Sequence, residues 1–379
     1  MKVIHIIIPI ILLITSCKSD ISNESTKHLS EVLFVADTIK ISIPDKVAIE
    51  DFGTSWNFHK NMIGFLSPTA VNYLNLNIYD FNRNNWVKVK LNLEGPDQVF
   101  SEGSFAFISD SLFYYFPAAK PVVLKINFSG QVLQSHSIST DRSANYYLMN
   151  KNPVIGYVNG QIGFDLSEHA SLGDPETFYT SRLYGLIDTA KQQDALKIID
   201  YPEEFHGKVW SSNSVGRNSY LLNDTIYFNF VKSKFIYRYD LNGNLIDKKM
   251  ADIPEIKDAK VRSNSSMTDL INHEMAGYYP KLVYDPWQKV FYRFGVYYAS
   301  ANREISKFSE FAQVAKTRTL AIIVLNKNLD ILGVNRFGLA EGVSEKHYFI
   351  NNQGLYLYSL HRKKEDELAF YLLRFSRGE

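Results

Sequence analysis

The chain has 379 residues, with 41 Lys and Arg against 40 Asp and Glu, a net charge of +1 and one cysteine. Without a basic excess, run or stripe it has no electrostatic driver for nucleic-acid binding. Aromatic residues make up 14% (24 Tyr and 25 Phe), which suits a sheet-rich body and supplies rings for a binding surface.

The N-terminus reads as an export signal. Lys2 is followed by an apolar run over 3–14 and then by Leu13-Ile14-Thr15-Ser16-Cys17. About twelve apolar residues are too few for a spanning helix, which needs roughly 20, so a cleaved signal over 1–16 is expected. The five residues ending at Cys17 resemble a bacterial lipobox, which implies lipidation of Cys17 and a membrane anchor of several acyl chains. A lipid on that thiol leaves none for a disulfide, a thiolate metal ligand or a nucleophile. Polar residues over 17–30 read as a flexible tether. Lys18 and Ser19 follow the cysteine; neither is the Asp associated with inner-membrane retention. That favours the outer membrane of the cell envelope.

From there to residue 379 the pattern is one of repeated hairpins, and about 360 residues is an ordinary length for a single propeller domain. The run 32–43 alternates but has no partner nearby. A first unit covers 56–58, 62–66, 76–81 and 86–91; a second 105–109, 112–116, 122–128 and 132–138; a third 154–158, 161–166, 182–187 and 195–199. The fourth is the clearest, Ser219 to Phe230 and then Phe235 to Met250, with Asn223-Asp224 and Asn242-Gly243 at its turns. A fifth covers 281–284, 289–297, 320–325 and 331–337, and a sixth has only 347–350, 355–360 and 368–375. Four-strand units repeating every several tens of residues predict an all-β, six-bladed β-propeller. The 32–43 run is expected to supply the missing outer strand and close the ring, removing bare edges. A seventh blade would have to come from 250–279, which shows no alternation. A two-sheet sandwich is the other alternative.

Most turns between first and second, and third and fourth, strands are short. The long segments 167–181, 201–218, 250–279 and 298–319 all fall elsewhere and are expected at one face, around the channel mouth, where binding residues concentrate. Ile305, Phe308, Phe311, Ala312 and Ala315 recur at helical spacing and predict a short amphipathic helix there. Trp210, Arg217, Tyr278, Tyr279 and Arg303 in these segments, with Arg293 in the fifth unit, are the candidate ligand-binding residues, because aromatics and Arg make good anchors. Single carboxylates at Asp97, Glu168, Asp174, Glu203, Glu204 and Asp269 are the candidates for a glycosidase-type pair.

Other motifs carry less. Asp51-Phe52-Gly53-Thr54-Ser55-Trp56 resembles one sialidase-type Asp-box, a structural turn, with Ile49 where its first Ser belongs. Asp240-Leu241-Asn242-Gly243-Asn244 has calcium-loop spacing at its start, but its Gly comes too early and no Glu closes it, so it reads as a hairpin turn. No two of the nine His residues stand at i,i+2 or i,i+4. His273-Glu274 is a His–carboxylate neighbour pair read as loop surface, and no phosphate loop, dinucleotide fingerprint or nucleophile elbow occurs. No metal or cofactor is implied.

The lipobox, Leu93-Glu94-Gly95-Pro96-Asp97, Tyr279-Pro280-Lys281-Leu282-Val283-Tyr284-Asp285 and Val290-Phe291-Tyr292-Arg293-Phe294 together resemble the bacterial lipoprotein family called domain of unknown function 4221, over nearly the whole mature chain. The resemblance implies a propeller-like exported lipoprotein and assigns no catalytic residue. The expectation is a lipid-anchored binding module that takes a protein or glycan through its long-loop face. The alternative is a glycan-active hydrolase or lyase with carboxylates at the channel mouth, and no local catalytic constellation favours it.

Overall fold

The computed structural model describes residues 32–43, 56–70, 72–117, 120–138, 146–147, 156–158, 160–165, 167–168, 183–189, 196–206, 217–257, 271, 275–298, 308–338, 342–361 and 366–376. Cys17, the Asp-box residues 51–55, Asp174, Trp210, Asp269, His273, Glu274 and Arg303 lie outside them, as does most of the long connecting segments.

The fold is all-β, in a β-propeller arrangement. β1 (Leu33–Ser42) comes first. Sheet 1 contains β2 (Trp56–His59), β3 (Met62–Ala70), β4 (Tyr73–Asp80) and β5 (Asn85–Asn92). Sheet 2 contains β6 (Gly103–Phe107), β7 (Leu112–Pro117), β8 (Val122–Asn127) and β9 (Val132–Ser137). A small pair follows, β10 (Tyr146–Tyr147) with β13 (Ser167–Glu168), which the sequence pattern did not suggest. Sheet 3 contains β11 (Gly156–Val158), β12 (Gln161–Asp165), β14 (Tyr184–Asp188) and β15 (Leu196–Ile198). Sheet 4 contains β16 (Arg217–Leu222), β17 (Thr225–Phe230), β18 (Phe235–Asp240) and β19 (Leu245–Met250). Sheet 5 contains β20 (Tyr278–Asp285), β21 (Val290–Tyr298), β22 (Arg318–Asn326) and β23 (Ile331–Gly338). Sheet 6 contains β24 (Val343–Asn351), β25 (Gly354–Ser359), β26 (Glu367–Phe375) and β1. Among the described residues these six separate four-stranded sheets rule out the two-sheet sandwich.

In sheets 2, 4, 5 and 6 the second strand is largely buried and the outermost strand is the most exposed. In sheet 4, Ile226 to Phe230 on the second strand are all buried, whereas five of the six residues of β19 are exposed. A strand buried on both faces needs a neighbouring sheet on each side. Such neighbours exist: Leu76, Leu91, Phe105 and Phe113 form a core between sheets 1 and 2. Tyr114, Phe116, Ile162 and Ile187 do so between sheets 2 and 3, and Tyr184, Leu186, Phe228 and Tyr239 between sheets 3 and 4. Tyr227, Ile236, Leu282 and Phe291 join sheets 4 and 5; Val283, Phe294, Tyr348 and Leu357 join sheets 5 and 6. A further cluster joins the last sheet to the first, through Ile41, Phe349 and Phe370 against Ile63, Phe65 and Tyr79. Fully burying each large apolar side chain contributes about 1.5–3 kcal/mol.

The outer hairpins share one local device. The last residue of the third strand is Asp or Asn, and its side-chain oxygen accepts amides of the turn, as Asx turns do. Asp80 takes Asn82 N at 2.8 Å, Asn127 takes Gln131 N at 3.0 Å, Asp240 takes Asn244 N at 2.8 Å and Asn326 takes Asn328 N at 2.8 Å. Asp240 is therefore a hairpin residue, its oxygens engaged by Asn242, Asn244 and the Asn244 amide. In sheets 2 and 4 the turn needs glycine: Gly130 has φ +83°, and a Cβ there would stand 2.3 Å from the Lys90 carbonyl oxygen of the preceding sheet. Gly243 leans in the same way on Ile198 and Ile199.

Sheet 6 has no such turn, because its outer strand comes from the other end of the chain. β1 runs antiparallel to β26, from Leu33 opposite Phe375 to Ser42 opposite Glu367. The free start of β1 is pinned by Asn335 of β23. Its Oδ1 accepts Val32 N at 3.0 Å and Leu33 N at 2.9 Å, and its Nδ2 donates to Leu33 O at 2.6 Å. One side chain thus stands in for the missing turn.

Candidate functional site

In each hairpin-built sheet the strands alternate in direction, so segments that follow a second or fourth strand leave from the end opposite the first turn. All four long segments do so: 167–181 follows β12, 201–218 follows β15, 250–279 follows β19 and 298–319 follows β21. α1 (Phe308–Ala315) forms where the helical spacing predicted it, and Phe311 and Val314 pack on Ile271 and Met275.

The first strands of neighbouring sheets contact one another: β2 with β6, β11 with β16, β16 with β20, β20 with β24, and β24 with β2. Charged and polar side chains near their starting ends converge. Asp165, at the end of β12, is buried and accepts the Ser219 hydroxyl and, at 3.3 Å, the Ser219 amide of β16. Tyr184 pairs opposite Asp165, and burial first, then the Asp165 charge, push its phenol up. On β24 the ladder is broken between Val343, opposite Ser359, and Tyr348, opposite Leu357. This five-against-two irregularity is a large bulge, a device that re-aims side chains. It contains Glu345, which is buried and ion-paired with Arg318 at the start of β22. The Tyr278 phenol also contacts that guanidinium.

Lys281 of β20 feels two of these groups. Asp165 of sheet 3 and Glu345 of sheet 6 both act on its charge, yet burial outweighs them and holds the ammonium below the ordinary lysine range. Among the described residues no hydrogen bond or ion pair engages its ammonium, and the residue is half-buried.

The residues nominated from the sequence divide. Tyr278 stands beside this cluster, and the Arg217 side chain is buried at the start of β16, donating to the Tyr201 hydroxyl at 3.0 Å. Tyr279 and Arg293 are corrected: both are core. Tyr279 is 1% exposed, donates to Asp252 at 2.7 Å and accepts Ile253 N at 2.9 Å. The Arg293 guanidinium lies 3.8 Å over the Tyr279 ring. Its Nε donates to Asn229, Nη1 to the carbonyls of Lys234 and Ala251, and Nη2 to those of Ser233 and Phe235. With every donor used and no exposure it has nothing to offer a ligand; it staples sheet 4 to sheet 5. Among the nominated carboxylates, Asp97 accepts Val132 N at 3.0 Å and Glu204 accepts the Tyr237 hydroxyl and Lys248. Both serve the framework. Glu203 is exposed in a short 3-10 turn, and Glu168 lies in the β10–β13 pair.

Lys281, Asp165, Ser219, Arg318 and Glu345 were not nominated. The available signal was a charged residue within an inner strand, Lys281 in YYPKLVYD and Glu345 in VSEKHYFIN. Among the described residues no cluster of His, Cys, Asp and Glu could hold a metal, and no helix is long and apolar enough to cross a membrane.

The family model described as "Domain of unknown function (DUF4221)" matches residues 30–333. The chain belongs to the DUF4221 family. The match ends within sheet 5, short of the nearly full-length coverage the sequence motifs implied. A solved DUF4221 structure from Bacteroides vulgatus superposes with a TM-score of 0.70 at 16% identity, covering 91% of this chain and 98% of that one. A protein from Bacteroides fragilis predicted to be exported gives a TM-score of 0.56 at 11% identity, covering 93% and 98%. At such identities the likeness concerns the fold. No curated protein sequence matches this one.

Proposed function

We propose that this DUF4221 chain is an exported, lipid-anchored, six-bladed propeller, its ring closed by β1, that binds a small ligand at the inner-strand cluster. The observation that carries the reading is Lys281: a half-buried ammonium with no acceptor among the described residues, influenced by carboxylates of sheets 3 and 6. Buried polar groups are normally satisfied, and a cationic donor left open toward an internal space is what a ligand oxygen would complete. Cores between successive sheets, including the last and first, give that space a stiff wall. The lipobox supports the anchor, and a relative predicted to be exported supports the envelope location.

The test is a thermal-shift screen of envelope glycan and small-molecule fractions against the purified protein and Lys281→Met. Binding to the folded state raises Tm by mass action, so a fraction that stabilises the wild type but not the variant supports the reading. Equal response of both proteins to every fraction sinks it. Product analysis of the same incubations separates binding, which returns the ligand intact, from a hydrolase or lyase.

A further inference from the structure

The outermost strands start with an unusual residue. In sheets 2, 4, 5 and 6 the second residue of that strand is apolar and exposed: Leu133 of β9, Ile246 of β19, Leu332 of β23 and Phe34 of β1. Leu245 and Val35 beside two of them are exposed as well. Single exposed apolar residues are ordinary, and edge strands are normally blunted with charge. The same breach at the same place in four sheets is neither.

These positions share one side of the molecule. Short turns join first to second and third to fourth strands, so each outermost strand starts at the short-turn side. β1 does so too, because Leu33 stands opposite Phe375 at the end of the third strand, β26. Turns of neighbouring sheets meet there, as Lys60 and Asp110 do at 3.2 Å. Trp287, in the turn between β20 and β21, is also exposed on this side; Trp is a preferred residue of the membrane–water interface. Beyond the Lys60–Asp110 pair the turns carry exposed Arg83, Lys289 and Lys327 against Asp224 and Asp330. That near balance gives anionic headgroups little to attract, so apolar contact dominates.

The chain itself selects the occupant. Cys17 precedes Val32 by fifteen positions, which reach no further than roughly 50 Å even at full extension, and they enter the domain at the start of β1. A lipid on Cys17 therefore holds the short-turn side near a bilayer. Resting on the reading of Cys17 as the anchor, we propose that this side of the propeller lies on the lipid surface, seated by the apolar starts of the outermost strands and by Trp287. The long-loop side, where the inner strands start, then points away from the membrane.

The test uses the full lipidated chain in phosphatidylcholine vesicles. Cys17 is the sole cysteine, so with its thiol acylated a fluorophore can be placed at Leu133→Cys, Leu332→Cys or, on the long-loop side after β25, Leu360→Cys. Lipids brominated along their chains should cause loss of fluorescence at 133 and 332 but not at 360, to the same extent at low and high salt. Sedimentation with the vesicles but no loss at 133 and 332, or a greater loss at 360, would keep the anchor and overturn the seating. Loss that disappears in high salt, where exposed charges are screened, would overturn the apolar contact. Cross-linking of two copies through Leu332→Cys, equal in vesicles and in detergent, would give the surface to a second copy instead. A chain that does not sediment with vesicles at all would refute the anchor and this seating together.

Discussion

At the scale of single residues, the largest energetic commitments are buried charges, and their partners decide what each does. Arg293 spends five donors on four carbonyls and Asn229. Burial lowers it to about 10, so it stays protonated at every working pH. Arg293→Ala should cost about 3–5 kcal/mol in urea unfolding, since the carbonyls lose their donors. Arg293→Lys should recover little, because three donors on a point charge do not reproduce the fork. Asp247 and Asp285 titrate with opposite effect. The Arg238 bond lowers Asp247, so its contribution is present above the unfolded carboxylate range and is lost as pH falls through its folded value. Burial raises Asp285, so folding weakens as pH rises through its folded value. Urea midpoints across the acid range should therefore show Asp247→Asn deficient at neutral pH and converging on wild type in acid. Asp285→Asn should instead gain on wild type as pH rises. Parallel curves would refute both assignments.

At the scale of elements, strand positions were readable where hairpins are local. β17 and β19 have the limits expected from alternation and turn chemistry, because Asx and glycine turns set register over a few residues. β20 was read as starting at Lys281, but it starts at Tyr278. Pro280 reads as a strand breaker, yet it falls where the ladder skips between Tyr278 and Lys281, at a bulge that asks nothing of its missing N–H. That shift moved Tyr279 from presumed loop into the core and hid its stacking on Arg293. β1 gives a sharper expectation. Asn335 satisfies two buried amides and one carbonyl at the start of β1. Asn335→Ala should cost about 2–3 kcal/mol and speed hydrogen exchange in 33–42 and 367–375 before other sheets. Uniform exchange across the sheets would contradict a latch at this point.

At the scale of the whole molecule, two truncations separate the tether from the fold. Removing residues 1–30 should leave Tm unchanged, because β1 begins after them. Removing 1–43 should strip β26 of its outer partner and give a protein that aggregates through the bared edge; light scattering and Tm distinguish the two. Cys17→Ala should release the full chain from the membrane fraction, and retention would remove the lipid anchor from the proposal.

Alternation, turn residues and the orphan N-terminal run determined from the sequence alone that the chain makes successive four-stranded units and where each begins to fold. These are interactions between neighbours, legible at short range. Which side chains face inward was decided only by sheets packing side by side, since a strand's residues divide between core and inner space by twist and bulge. Ser219 and Asp165 meet although 54 residues separate them, and Arg293 looks like a binding residue until its surroundings are known. The charge on Lys281 likewise acquires meaning from Asp165 and Glu345, groups that belong to other sheets.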